Sequence, residues 1–395
     1  MAKKRTSRQR KNTSQPEAPP VSDVIIRQTE QARTRDVVRG LELDGDDIER
    51  SLLLGQNQDA IASVVGEEHA EELRGLAREA NQVRSRGGKR VLILPGILGS
   101  TLAVDGNTVW FDPIDIARGK LALLALGASN DKVESNGVFW PTYTELYLKL
   151  RIAGFRPEYF HFDWRKPIAD AGKRLAKLIE KEASGNQPIS LVAHSMGGLV
   201  CRSAIKQLET KAESLISQSI LLGTPNFGSF APAMVMTNDY STVQWMEKLD
   251  MVNPAGSLAT NVFSTFIGLT EMLPEAGRSG ETDLFKTESY PTGERSVRSD
   301  VLKKADGLQA RLAGGSDKIW MFAGTGLETV VGVTKSESDQ SKFEYQLSPA
   351  GDETVPLALA ELPGARHRYC KVSHGKLPRN NEVIRATIDV LANGS

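Results

Sequence analysis

From residue 90 onward, short continuous apolar runs alternate with stretches whose apolar residues recur at helical spacing. Residues 91–94, Val-Leu-Ile-Leu, end at Pro95-Gly96, as expected of a strand buried on both faces and stopped by a turn. The pattern predicts further strands at 159–162, 189–192, 216–222, 318–322 and 368–372. It predicts helices at 144–153, 168–183, 199–208 and 382–391, the second with Leu175, Leu178 and Ile179 on one face. Strands alternating with helices imply a mostly parallel sheet flanked by helices on both sides, an α/β class.

The rest of the chain departs from that rhythm. Residues 1–36 are basic and polar with Pro16, Pro19 and Pro20, a composition too poor in apolar groups to offset ordering entropy; they read as a disordered tail. Residues 37–88 read as an acidic extension with two short helices over 45–82, broken at Gly66. This hairpin is either a docking or regulatory unit for a protein partner or a pair packed on the main domain. Residues 89–395 form the main domain. It is interrupted at about 225–300 by an irregular segment holding Met234, Met236, Met246, Met251 and Met272, five of the eight methionines. Long insertions in such sheets are usually functional caps. Methionine adapts its shape to flexible acyl chains, or it fills the cap's own core.

Charge adds a local asymmetry and little else. Lys+Arg and Asp+Glu both number 49, so nothing in the whole-chain balance argues for nucleic acid. Residues 1–20 carry six basic side chains against Glu17, and residues 41–80 carry eleven acidic against three basic. The two cysteines, Cys201 and Cys370, read as thiols and give no sign of an oxidising compartment. No apolar run approaches the roughly 20 residues of a membrane helix. Basic residues at the N-terminus are followed by no apolar stretch. The expectation is a cytoplasmic protein whose membrane contact is at most peripheral.

The chemistry centres on Ala193-His194-Ser195-Met196-Gly197, which follows a strand and precedes a helix. A serine on such a sharp strand-to-helix turn is a nucleophile elbow, and the positions two either side must be small. The hydroxyl needs a base, itself oriented by a carboxylate; in this fold they follow in the order acid, then histidine. Of the two histidines after Ser195, His374 sits in a loop between strand and helix, whereas His367 lies among cations in Arg366-His367-Arg368. The base is therefore His374. The acid is Asp352 in Gly351-Asp352-Glu353-Thr354, with Glu353 its rival. A developing oxyanion needs preorganised N–H donors. These are expected from Met196 and, in the turn after the first strand, Ile97, with Leu98 as alternative. No metal or organic cofactor is expected.

Five segments together resemble the α/β-hydrolase lipases, and within them the lecithin:cholesterol acyltransferase-like group. They are Pro95-Gly96-Ile97-Leu98-Gly99-Ser100, Phe162-Asp163-Trp164-Arg165, the elbow at Ser195, the turn from Gly223 to Ser229 (Gly-Thr-Pro-Asn-Phe-Gly-Ser), and Gly351-Asp352-Glu353-Thr354-Val355-Pro356. The resemblance implies an α/β-hydrolase fold over residues 90–390 and hydrolysis or transfer of fatty-acyl esters. Leu98, Trp164, Phe227, Met234 and Met236 are the expected substrate contacts, while Asp163 and Arg165 belong to a structural element. The expected activity is hydrolysis of carboxylic, lipid acyl esters through an acyl-enzyme on Ser195. The alternatives are O-acyl transfer to an alcohol by the same residues, and a non-catalytic regulatory protein.

Overall fold

The computed structural model describes residues 35–41, 43, 45–83, 88–127, 132–184, 187–278, 282–292 and 297–394. Apart from its last two positions, the expected tail at 1–36 lies outside them. Six parallel strands make the central sheet: β1 (Arg90–Leu94), β2 (Arg156–Tyr159), β3 (Ile189–His194), β4 (Ile216–Leu222), β5 (Ile319–Gly324) and β6 (Arg366–Cys370). Their order is β6-β5-β4-β3-β1-β2. Alternate residues feed two separate cores. Leu92, Leu94, Leu191, Ala193 and Leu221 pack on one face; Val91, Ile93, Val192, Ile220 and Leu222 pack on the other. Burial on both faces is why these strands read as continuous apolar runs.

The second strand sits three residues earlier than the expected 159–162. It includes Pro157, opposite Val91. Proline lacks the ladder N–H, and this strand is tolerated because it lies at the sheet edge. Two antiparallel additions were not expected. Residues 100–104, 107–110 and 133–138 form a small sheet, and residues 329–335 pair with 343–348 as a hairpin.

After a short helix α1 (Arg35–Leu41), three helices and not two cover 45–82: α2 (Gly45–Leu54), α3 (Gln58–Val65) and α4 (Glu67–Gln82). Of these, α2 and α4 pack against α5 (Trp140–Ile152), and α1 packs on α3. Trp140, wholly buried, donates its indole N–H to the Gly40 carbonyl at 2.8 Å, and Arg151 pairs with Glu49. Two further helices flank β3, the strand that leads into Ser195: α6 (Ile168–Glu182) and α7 (Met196–Leu208). They approach closely because Gly172 has no side chain; a Cβ there would lie 2.5 Å from that of Ser203. The chain ends in α8 (Asn381–Asn393), capped by the Asn380 side chain on the N–H groups of Glu382 and Val383.

Between β4 and β5 the chain leaves the sheet as a series of short helices from Ala231 to Arg311. The buried Arg202 of α7 holds both sides of its neck. Its guanidinium donates to the Asn226 carbonyl at 3.0 Å and to the Ala313 carbonyl at 2.8 Å. Burial draws this guanidinium down to about 10. Further along, the Glu271 carboxylate accepts the Ile168 N–H at 2.6 Å, at the N-terminus of α6, where the helix dipole favours negative charge. Among the described residues, no helix is long and apolar enough to cross a membrane. Cys201 and Cys370 are free thiols, the first buried and the second half-buried; burial raises Cys201 to about 12.

Candidate active site

Ser195 sits where β3 turns into α7, with φ 53° and ψ −125°, a backbone conformation rare outside glycine. The turn is possible only with small neighbours. A Cβ on Gly197 would lie 2.5 Å from the Pro95 carbonyl oxygen, and one on Gly96 would lie 2.9 Å from the Ser195 Cβ. The strain is held by the surrounding backbone: the Ser195 N–H donates to the Leu222 carbonyl at 2.8 Å.

Asp352 and His374 lie beyond the ends of β5 and β6. His374 Nε2 is 2.9 Å from Ser195 Oγ, and His374 Nδ1 is 2.8 Å from Asp352 Oδ2. Because Asp352 can only accept when ionised, Nδ1 carries the proton and Nε2 is left to accept from the serine hydroxyl. The other carboxylate oxygen of Asp352 accepts N–H bonds from Thr354 (3.1 Å) and Val355 (2.7 Å). The Asp352 carbonyl accepts the His374 N–H at 2.9 Å, so the two residues are tied through backbone as well. All three residues are buried. Gly223 is glycine for the same crowding: its φ is +60°, and a Cβ would lie 3.0 Å from His374 Nδ1 and 3.2 Å from Asp352 Oδ2.

The structure brings Asp352, not Glu353, to the histidine; Glu353 instead uses its N–H on the Thr329 hydroxyl. His367 stays on β6, accepting the Leu362 N–H and stacking on Tyr369. Ile97 and Leu98 follow Gly96 beside Ser195, and Met196 opens α7. Among the described residues, the N–H groups of Ile97 and Met196 have no protein acceptor.

A pocket opens onto Ser195 and His374. Its wall is largely apolar, with Leu98, Val235, Val243, Met246, Phe263 and Met272 among the lining residues. Four of the five expected substrate contacts are not there. Trp164 is buried beneath the site, its indole N–H on the Ser100 carbonyl and its ring edge-on to Trp110 and Phe266. Phe227 is clasped by Arg278, whose guanidinium stands 3.6 Å from the ring centroid. In the short helix Ala231–Met236, Ala231 and Val235, one turn apart, line the pocket, while Met234 and Met236 do not. Arg165 and Asp163 form a bidentate pair at 2.7–2.8 Å, and the Arg165 carbonyl accepts the Gly268 N–H.

A second hydrogen-bonded chain, absent from the expectations, runs through Tyr143 and His194. The Gly96 N–H donates to Tyr143 Oη at 2.8 Å. Tyr143 Oη is 3.0 Å from His194 Nδ1, and His194 Nε2 is 3.1 Å from the His374 carbonyl. Burial, with the proximity of His374, lowers His194 to about 3, so its ring is neutral. The only sequence signal for this chain is a histidine next to the nucleophile at the end of an otherwise apolar strand.

Comparison with known proteins locates this architecture. The family model for lecithin:cholesterol acyltransferase matches residues 131–383. No curated protein matches in sequence. The chain resembles a protein in the crystal structure of the Tle4–Tli4 complex at 13% identity and a TM-score of 0.54, over 76% of this chain and 97% of that one. It also resembles Bacillus licheniformis lipase BlEst2 in mature form (15% identity, TM-score 0.37, 77% and 92% covered). A third likeness is to EstA from Clostridium botulinum (12%, 0.36, 80% and 89%). The fold is that of the α/β-hydrolases.

Proposed function

Because this chain belongs to the lecithin:cholesterol acyltransferase family, we propose that it cleaves lipid acyl esters by carrying the acyl group on Ser195. Family membership makes it an enzyme of the lipase and esterase kind, acting on esters by hydrolysis or acyl transfer. Transfer of the acyl group through Ser195 is supported by the unbroken line Ser195–His374–Asp352 facing an apolar pocket.

In this reading His374 takes the Ser195 proton as the hydroxyl oxygen attacks the ester carbonyl, and Asp352 stabilises the resulting imidazolium. The tetrahedral oxyanion is met by the N–H groups of Met196 and Ile97, preorganised donors of the kind whose loss costs about 3–4 kcal/mol. His374 then gives its proton to the departing alcohol, leaving the acyl-enzyme. Water, activated by the same histidine, regenerates Ser195 and releases the acid. The acyl chain lies against Val235, Val243, Met246 and Met272.

The same acyl-enzyme passes its acyl group to an alcohol if one reaches the carbonyl in place of water, and the family's own name favours keeping that second reading. Product analysis with and without added alcohol separates the two. The test of the common step is labelling by a serine-reactive fluorophosphonate. Wild type labels at neutral pH, and Ser195→Ala does not; an unlabelled wild type removes the enzyme reading. The substrate expectation has its own check: rates on p-nitrophenyl esters rise with acyl length, and a preference for the shortest esters removes the lipid assignment while leaving Ser195 in place.

A further inference from the structure

The protonation states of the Tyr143–His194 chain follow from its partners. The His374 carbonyl can only accept, so His194 Nε2 carries the ring proton. In the neutral ring Nδ1 is then bare and accepts from the Tyr143 hydroxyl, whose oxygen in turn accepts the Gly96 N–H. Every bond in the series therefore has one donor and one acceptor. It begins in the turn that presents the Ile97 N–H and ends on the backbone of the base. Its surroundings are shaped to fit: a Cβ on Gly99 would stand 2.7 Å from Tyr143 Oη, and one on Gly96 would stand 3.3 Å from His194 Nδ1. Tyr143 and His194 are both buried, although His194 also borders the pocket at Ser195.

We propose that Tyr143 and His194 are positioning residues that hold the oxyanion turn at Gly96 and the backbone of His374 in fixed register on either side of Ser195. This rests on the catalytic reading of Ser195 and His374 above. Neither residue touches the reacting atoms. Each acts through a backbone group, so what it governs is whether the donor at Ile97 and the base at Nε2 are in place together when charge develops. Removing the Tyr143 hydroxyl strands the Gly96 N–H and leaves His194 Nδ1 without its donor, so the link between the turn and the His374 backbone is broken.

The experiment compares Tyr143→Phe, His194→Gln and His194→Asn in steady-state hydrolysis of a p-nitrophenyl ester. Rates are expressed per fluorophosphonate-titrated site, with thermal melts alongside. Tyr143→Phe is expected to lower kcat by about 10- to 100-fold with KM unchanged, the scale of a small misplacement of reacting groups. Glutamine puts its amide nitrogen near the Nε2 position and keeps a donor for the His374 carbonyl, whereas the shorter asparagine cannot reach it. His194→Gln is therefore expected to retain more of kcat than His194→Asn. A Tyr143→Phe enzyme with wild-type kcat overturns the proposal, as does a glutamine variant no better than asparagine. If Tyr143→Phe does not fold, the glutamine–asparagine comparison decides alone. An unlabelled wild type would instead count against the function proposed for Ser195, so the two failures are separable.

Discussion

At the residue scale, the site depends on which carboxylate reaches the histidine. Asp352 Oδ2 lies 2.8 Å from His374 Nδ1 and is fixed by two N–H bonds to its other oxygen. Asp352→Asn is expected to keep the fold and lower kcat by about 10⁴-fold, because an amide nitrogen there stabilises the wrong imidazole tautomer. Glu353→Gln keeps turnover near wild type. Active-site-titrated rates of the two variants check the assignment, and the reverse ranking would transfer the acid role to Glu353. The meeting of Ser195, Asp352 and His374 was legible because each stands in a short motif whose order along the chain is dictated by the fold. Pocket contacts were not. Trp164 and Phe227 sit in motifs of the same family, yet one supports the floor of the site and the other is stacked under Arg278. Composition says that a residue is large and apolar; it does not say which side of a short helix or turn faces the cavity.

At the element scale, the strands buried on both faces were readable as apolar runs, and α6 was readable from its periodicity. The edge strand with Pro157 and the hairpin from Thr329 to Ser348 were not. Many of their residues are polar; the edge strand is settled by pairing with β1, far along the chain, and the hairpin by local pairing of its own two strands. Where the insertion meets α6, Glu271 carries a testable consequence. Burial raises its carboxyl to about 7 from the ordinary 4.5, against the lowering effects of the Ile168 N–H and of Arg311. A folded-state pKa above the unfolded value means that the folded protein binds more protons between about 4.5 and 7. The stability it contributes is full at low pH and is lost as pH rises through about 7. Glu271→Gln retains an acceptor for Ile168 without the ionisation. The melting temperature of the variant relative to wild type is expected to climb between pH 5 and pH 8. A constant difference across that range would show that Glu271 titrates as an ordinary carboxyl.

At the scale of the whole molecule, the N-terminal helices are part of the same packing as the sheet domain. Their apolar residues, Val37, Ile48, Ile61 and Leu73 among them, belong to the same core as Leu92 and Leu191. That was not legible from the sequence, where an acidic helical segment reads equally as a free docking unit. Gly40 marks the tightest contact: a Cβ there would lie 2.3 Å from the Ala60 carbonyl oxygen, and its own carbonyl receives the Trp140 indole. Gly40→Val is expected to destabilise the protein by about 1–3 kcal/mol through overpacking. At temperatures well below melting, kcat is expected to hold at the wild-type value, because no atom of the site is touched. Thermal denaturation together with kinetics checks this; an unchanged melting temperature would mean that the extension is not packed as described.

The grip of Arg202 on Asn226 and Ala313 has a consequence for how such a protein diversifies. The excursion between β4 and β5 enters and leaves beneath one guanidinium, on neighbouring strands that run in register from Ser219 opposite Ile319 to Leu222 opposite Phe322. Because the strands are parallel, its two ends lie at opposite ends of them, yet both are fastened from α7, an element outside the excursion. The segment beyond that clasp is a cassette. It can be shortened, lengthened or replaced by another of different lining while the sheet, the elbow and the histidine loop keep their geometry. Substrate preference and chemical machinery are thereby free to change at different rates in descendants of one gene, or at the hands of a designer.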